Sequence, residues 1–151
     1  MWVGRTLDIS PEMLAKIKAL NEDAHGEPIA HASVVERLLE TAGTKLRTGY
    51  VEAVATRPDR QGEGLATQIL NAVTVHIRLL YELGALSTGE NDFYSRVGWE
   101  TWRGKTYVRT DDGLKRTEEE DGAIMILRTA STLDLDLDEA ISCEWRPGDV
   151  W

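Results

Sequence analysis

Glu52 stands midway along Gly49-Tyr50-Val51-Glu52-Ala53-Val54-Ala55, a segment otherwise apolar and extended in character. A carboxylate there is costly to bury unless it is partnered or used. One use is general-base chemistry: an ammonium near pKa 10.4 costs roughly 4–5 kcal/mol to deprotonate at pH 7 before it can act as a nucleophile. A carboxylate that takes that proton, directly or through water, is typically worth about 10²–10⁴ in rate. Downstream lies Gln61-Gly62-Glu63-Gly64-Leu65-Ala66, a glycine-containing turn between a strand pattern and a helix pattern. Backbone N–H groups of such a turn, with the first free N–H groups of the helix, suit phosphate oxygens. Gly62 and Gly64 let the main chain approach a ligand with no Cβ in the way. The turn is neither a Walker loop nor the dinucleotide fingerprint, whose glycine spacing differs. His25, His31 and His76 lack metal-ligand spacing, so no metal is expected, and Cys143 reads as a small hydrophobe.

These residues need a frame, and the pattern supplies one. Ser10-Pro11 looks like a helix start, with Met13, Leu14, Ile17 and Leu20 at helical spacing, fading over Asn21 to Gly26. Strands are expected over Ile29–Leu39 and Leu46–Thr56, joined by the turn Thr41-Ala42-Gly43-Thr44 as an antiparallel hairpin. Alternation on the second strand puts Tyr50, Glu52, Val54 and Thr56 on one face. A helix should run from Leu65 to Leu83 with Ile69, Val73, Ile77 and Leu80 as its stripe. Ala85–Ser87 reads as a short strand, Asp92–Val97 as a helix stopped by Gly98, and Trp99–Val108 as extended. Thr110–Gly122 reads as a hairpin connection and Ala123–Arg128 as a strand. No repeat or interdomain linker is visible. The class is α+β, with a single domain over 1–151.

Composition narrows the function. The chain has 151 residues, 17 Lys+Arg against 26 Asp+Glu, and a net charge of −9. That balance argues against holding nucleic acid through its phosphates. No apolar run is long enough to span a bilayer and the first residues lack a secretory h-region, so a cytoplasmic protein with no membrane partner is expected. Residues 118–151 hold ten acids against two bases, Arg128 and Arg146. Such an acidic end either keeps the protein soluble or concentrates a cationic substrate. The tryptophans Trp2, Trp99, Trp102 and Trp145 read as packing residues, with Trp102 able to line a cleft.

The turn at Gln61–Ala66 matches Gln/Arg-x-x-Gly-x-Gly/Ala and so resembles the pyrophosphate loop of the GNAT superfamily of acyl-CoA-dependent N-acetyltransferases. Gly49–Ala55, Gly84-Ala85-Leu86-Ser87, Tyr94-Ser95-Arg96-Val97-Gly98-Trp99 and Arg146-Pro147-Gly148-Asp149-Val150-Trp151 together resemble the aminoglycoside 2′-N-acetyltransferases. The resemblance runs from about Ile29 to Trp151. It implies a GNAT fold: a mixed, mostly antiparallel sheet whose fourth and fifth strands splay apart, with flanking helices. It implies acetyl transfer from acetyl-CoA to the 2′-amine of an aminoglycoside, and hence antibiotic resistance, without a metal. Glu52 then is the base or the amine-orienting carboxylate, and Tyr94 protonates the leaving thiolate. Val54 and Thr56 offer backbone groups to the pantetheine arm, and Gln61, Gly62, Glu63, Gly64, Leu65 and Ala66 hold the pyrophosphate. Ser87 and Asp149 contact the substrate, as do the carboxylate and indole of Trp151. Relative to that family the chain is shorter between the first helix and the hairpin, where Asn21 to Pro28 connects directly. A strand lost there would leave a hairpin edge exposed, which implies a homodimer. Transfer to another amine, of a small molecule or a peptide, remains open, as does a non-catalytic binder of acyl-CoA or aminoglycoside.

Overall fold

The computed structural model describes residues 3–5, 17–22, 28–62 and 64–151, with side chains from Ala30 onward. The chain order of strands and helices is β1 (Val3–Arg5), β2 (Ile17–Glu22), β3 (Pro28–Thr41), β4 (Thr44–Thr56), α1 (Leu65–Leu80), β5 (Leu83–Ser87) and α2 (Asn91–Ser95). It continues with β6 (Glu100–Thr101), β7 (Thr106–Thr110), β8 (Gly113–Arg116), β9 (Ile124–Arg128) and β10 (Ile141–Glu144). Single 3₁₀ turns occupy Pro58–Arg60 and Glu118–Glu120.

The described strands make one mixed sheet, ordered β6-β9-β5-β4-β3-β10-β7-β8, with β2 on the free half of β3 and β1 on β2. Only β4–β5 and β10–β7 are parallel. Alternation gives the central strands two buried faces. On β9, Ile124 and Ile126 enter one core while Met125 and Leu127 enter the other, which is why that strand reads as a continuous apolar run. The first core lies under α1, whose Leu65, Ile69, Val73 and Ile77 face the sheet. The second gathers Tyr50, Leu83, Trp102, Ile141, Cys143 and Trp151.

The parallel pairing of β4 with β5 is short, from Thr48↔Leu83 to Tyr50↔Ala85. At its centre Gly49 faces Gly84, and α1 seats directly on the pair: a Cβ at Gly49 would stand 2.9 Å from Ile77 Cγ1. Beyond Tyr50 the two strands have no further pairing and splay, as the resemblance implies.

The hairpin β3–β4 and its turn form as expected, two or three residues longer. Four expectations are corrected. Ile17–Leu20 is not helical but lies within β2, because pairing against the long β3 outweighs four apolar residues at helical spacing; Ser10–Lys16 lies outside the described residues. β2 therefore supplies the strand taken to be missing before the hairpin. It covers Pro28–Val34 while β10 covers Glu40 and Thr41, so the hairpin edge behind the homodimer expectation is paired at both ends of β3, with Val35–Leu39 between them. Helix α1 ends at Leu80 rather than Leu83, because Glu82 N–H already donates to Arg47 O at 2.9 Å and Tyr81 is extended. Trp99–Val108 is two strands in different parts of the sheet, separated where Arg103 and Gly104 N–H both donate to Leu137 O at 2.9 and 3.0 Å. Within Thr110–Gly122, β8 completes the hairpin with β7, and β10 had no expectation at all.

Candidate active site

The site begins with a fault in β4. Ser33 pairs with Glu52 but His31 pairs with Ala55, so three steps on β4 oppose two on β3. The extra residue is absorbed at Ala53, whose φ of 54° is left-handed and uncommon for a residue with a Cβ. The bulge inverts the side-chain parity. Tyr50 lies in the second core, whereas Val51 and Val54, three apart, both pack on the α1 core. The expectation that Tyr50, Glu52, Val54 and Thr56 share a face is therefore corrected: Val54 points away from Tyr50, and the bulge re-aims the strand into the gap left by β5.

Two cavities open in that gap. The first, of about 560 Å³, is lined by Glu52, Ser87, Tyr94, Arg146, Asp149 and Trp151, with Tyr50 and Val54. The second, of about 440 Å³, is lined by Val54, Thr56, Gln61, Gly62, Gly64, Leu65 and Ala66, with Tyr94. Val54 and Tyr94 belong to both, so the cavities meet at these two residues. Glu63 lies outside the described residues.

The second cavity is built from main chain. Gly62 and Gly64 have φ of 84° and 75°, and nothing lies within 4 Å of a Cβ built on either. Conformation, not crowding, demands glycine at both. Gly64 precedes α1 without a side-chain cap, leaving the first N–H groups of the helix to an outside acceptor. A left-handed glycine pair leading into an uncapped helix is a fit for phosphate oxygens.

The first cavity is built from charged side chains. Glu52 Oε1 accepts from Arg146 Nη1, both side chains being 28% exposed. Arg146 Nε also donates to Asp149 O at 2.7 Å, and its guanidinium carbon lies 5.5 Å from the Tyr50 ring centroid. The Arg37 guanidinium lies 4.9 Å from the same ring and is bound by Glu144 through Nε–Oε1 at 3.0 Å. Burial pushes the Tyr50 phenol far above its ordinary value, although both guanidiniums oppose this. Ser87 Oγ donates to Glu120 Oε2 at 2.7 Å, which brings another carboxylate to β5. Tyr94, on α2, stands edge-on to Trp99 at 6.4 Å, and burial followed by Glu90 raises its phenol above the ordinary value.

Trp151 is only 4% exposed and donates Nε1–H to Thr117 Oγ1 at 3.0 Å. The open cation–π face expected of its indole is therefore mostly covered. Trp102 does not line the cleft: it is fully buried and donates to Glu139 O at 2.8 Å. Trp145, read as packing, is 58% exposed. Cys143 behaves as a hydrophobe, with Sγ 3.3 Å from Val150 O. Sequence reasoning assigned no role to Arg146, Glu120 or Tyr50. The available signal was Arg146 itself, one of only two bases in an acidic stretch.

The model of the GNAT acetyltransferase domain matches residues 12–102. An aminoglycoside 2′-N-acetyltransferase of Mycolicibacterium fortuitum is 45% identical over 131 residues, covering 84% of this chain and 67% of that protein. The chain belongs to the GNAT acetyltransferase family. This GNAT chain is an N-acetyltransferase by that membership, and it spans about two thirds of the length of the M. fortuitum protein. Among solved structures, the GNAT family N-acetyltransferase YhbS from Escherichia coli, in complex with CoA, superposes with a TM-score of 0.62 at 17% identity, over 84% of this chain and 66% of that one. An acyl-CoA N-acyltransferase structure from Klebsiella pneumoniae gives 0.54 at 18% identity, over 82% and 79%. These likenesses establish the GNAT fold. Among the described residues, no helix is long and apolar enough to cross a membrane.

Proposed function

We propose that this GNAT chain transfers an acetyl group from acetyl-CoA to the 2′-amine of an aminoglycoside, and so confers resistance. The observation that carries the reading is the junction at Val54 and Tyr94 of a phosphate-fitted, main-chain cavity with an acidic, side-chain cavity. The name of the M. fortuitum relative supports the acceptor class.

Gly62, Gly64 and the start of α1 would hold the pyrophosphate, and the main chain at Val54 and Thr56 the pantetheine arm. The chemistry acetyl-CoA supplies is an acyl thioester. Glu52 orients the acceptor amine and takes its proton through Oε2, since Arg146 occupies only Oε1. Asp149 and Glu120 attract the other ammonium groups of a polycationic acceptor, and Ser87 donates or accepts beside them. Tyr94 keeps its proton at neutral pH. Burial, followed by Glu90, raises the phenol above its ordinary value, which favours its protonated form and works against full transfer of that proton to a thiolate. Its role is to donate a hydrogen bond to the developing charge on sulfur, which solvent then neutralises.

The test is thiol release from acetyl-CoA with tobramycin, which carries a 2′-amine, against kanamycin A, which carries a 2′-hydroxyl. Release with tobramycin alone is expected. Release with both keeps the transferase and rejects the 2′ position. Release with neither, while calorimetry shows CoA binding, moves the acceptor to another amine.

A further inference from the structure

The acidic final 34 residues contain two bases, and their fates differ. Arg128 binds Glu100 through Nε–Oε1 at 2.8 Å, where β9 pairs with the edge strand β6. Arg146 instead returns across 94 positions of sequence to Glu52. One planar guanidinium then makes three contacts in different directions: Nη1 to Glu52 Oε1, Nε to Asp149 O at 2.7 Å, and its face toward the Tyr50 ring at 5.5 Å. Tyr50 is itself fixed. It is 2% exposed, at the last paired position of β4 with β5, with Arg37 on its ring at 4.9 Å.

We propose that Arg146 is the positioning residue of the acceptor cavity: it clamps Glu52 by one oxygen and the Asp149 turn by its carbonyl, and so sets the spacing of the carboxylates that grip the acceptor. Among the described residues no other donor reaches Glu52. Without Arg146 its three torsions would spread over several rotamers at a bulge that opens into solvent. With Arg146 in place, Oε1 is occupied and Oε2 is left for the amine. The same contact ties residues 146–149 to β4, so the two acidic walls move as one. Lysine cannot replace this arrangement. Its single ammonium carries the charge but not a rigid fork that reaches two acceptors while lying on an aromatic ring.

This inference rests on Glu52 as the amine-facing carboxylate, so the experiment separates the two. Acetyl transfer to tobramycin is followed with radiolabelled acetyl-CoA, so that slow rates stay measurable, for wild type, R146K, R146Q, E52Q and the E52Q/R146Q double variant. We expect R146Q to lower kcat/KM for tobramycin about 30-fold or more, a loss typical of a misplaced reacting group. KM for acetyl-CoA should stay within about twofold, because the donor cavity does not use Arg146. R146K should recover only part of the loss. In the E52Q background, R146Q should cost several-fold less than it does alone, because the part of its effect that runs through Glu52 is already gone and only its hold on the Asp149 turn remains. Equal losses in both backgrounds, or an acetyl-CoA KM rising in step, would overturn the proposal and leave Arg146 as a prop for the C-terminal segment. Full rescue by lysine would overturn the fork. A wild type that releases no thiol with any aminoglycoside removes the role of Glu52, and this one with it.

Discussion

The two cavities that meet at Val54 and Tyr94 are made of different materials. The proposed donor side is main chain: a bulged strand end, two left-handed glycines and an uncapped helix start, all within residues 53–66. The proposed acceptor side is side chain: Glu52 from β4, Ser87 from β5 with Glu120 accepting its hydroxyl proton, and Arg146 and Asp149 from the segment after β10. A backbone-built site binds what every acyl-CoA shares and tolerates sequence change outside its glycines. A side-chain-built site can be retuned one residue at a time. The bulge at Ala53 joins them, since Glu52 before it lines the first cavity and Val54 after it stands where the two meet.

If the division is real, variants on each side should fail differently. The largest effect is expected for Glu52→Gln: kcat falls by about 10²–10⁴, the usual worth of a general base, while calorimetry finds CoA affinity unchanged. Tyr94→Phe touches the junction and should cost about tenfold in kcat, one lost charge-assisted donor. Because burial and Glu90 raise the phenol above its ordinary value, this variant should leave the pH–rate profile around neutrality unaltered. A basic limb near pH 8 that vanishes in Tyr94→Phe would show that the phenol ionises in turnover. Gly64→Val should raise the CoA dissociation constant roughly tenfold, because a β-branched residue resists φ of 75° by about 1–2 kcal/mol. Tobramycin affinity measured without CoA should not follow.

The smallest effect concerns the turn that carries Glu120. Asp121, next in sequence, is held at about 2 by Arg116, with help from Thr106. A carboxyl depressed in the folded state stabilises the fold above its ordinary value of 3.8, and that contribution is lost as pH falls through about 2. Both partners are about one-third exposed, so acid unfolding of Asp121→Asn between pH 4 and 2 should differ from wild type by only a fraction of a kcal/mol.

The same division explains what the sequence disclosed. The hairpin, α1 and the Gln61–Ala66 turn are local patterns, and each was legible from spacing or glycine chemistry. β2 was misread because its strand state is imposed by pairing with β3, from Glu22↔Pro28 out to Ile17↔Val34, rather than by its own periodicity. β10 left no signal, being four residues held between β3 and β7, partners distant from it in sequence. The bulge was invisible because Ala53 carries no glycine to announce its positive φ. Glu52 was legible as an acid in an apolar strand, but its partner Arg146 was not, since nothing local records a contact spanning 94 positions.

The most direct test of the account is the position of the acetyl group in the product. Tobramycin carries several amines, and two-dimensional NMR of the acetylated antibiotic assigns the one modified. Acetyl on the 2′-nitrogen alone is the result the account predicts. Acetyl on another amine, or spread over several, would contradict it, because carboxylates fixed on both walls of one cavity should present a single nitrogen to Glu52.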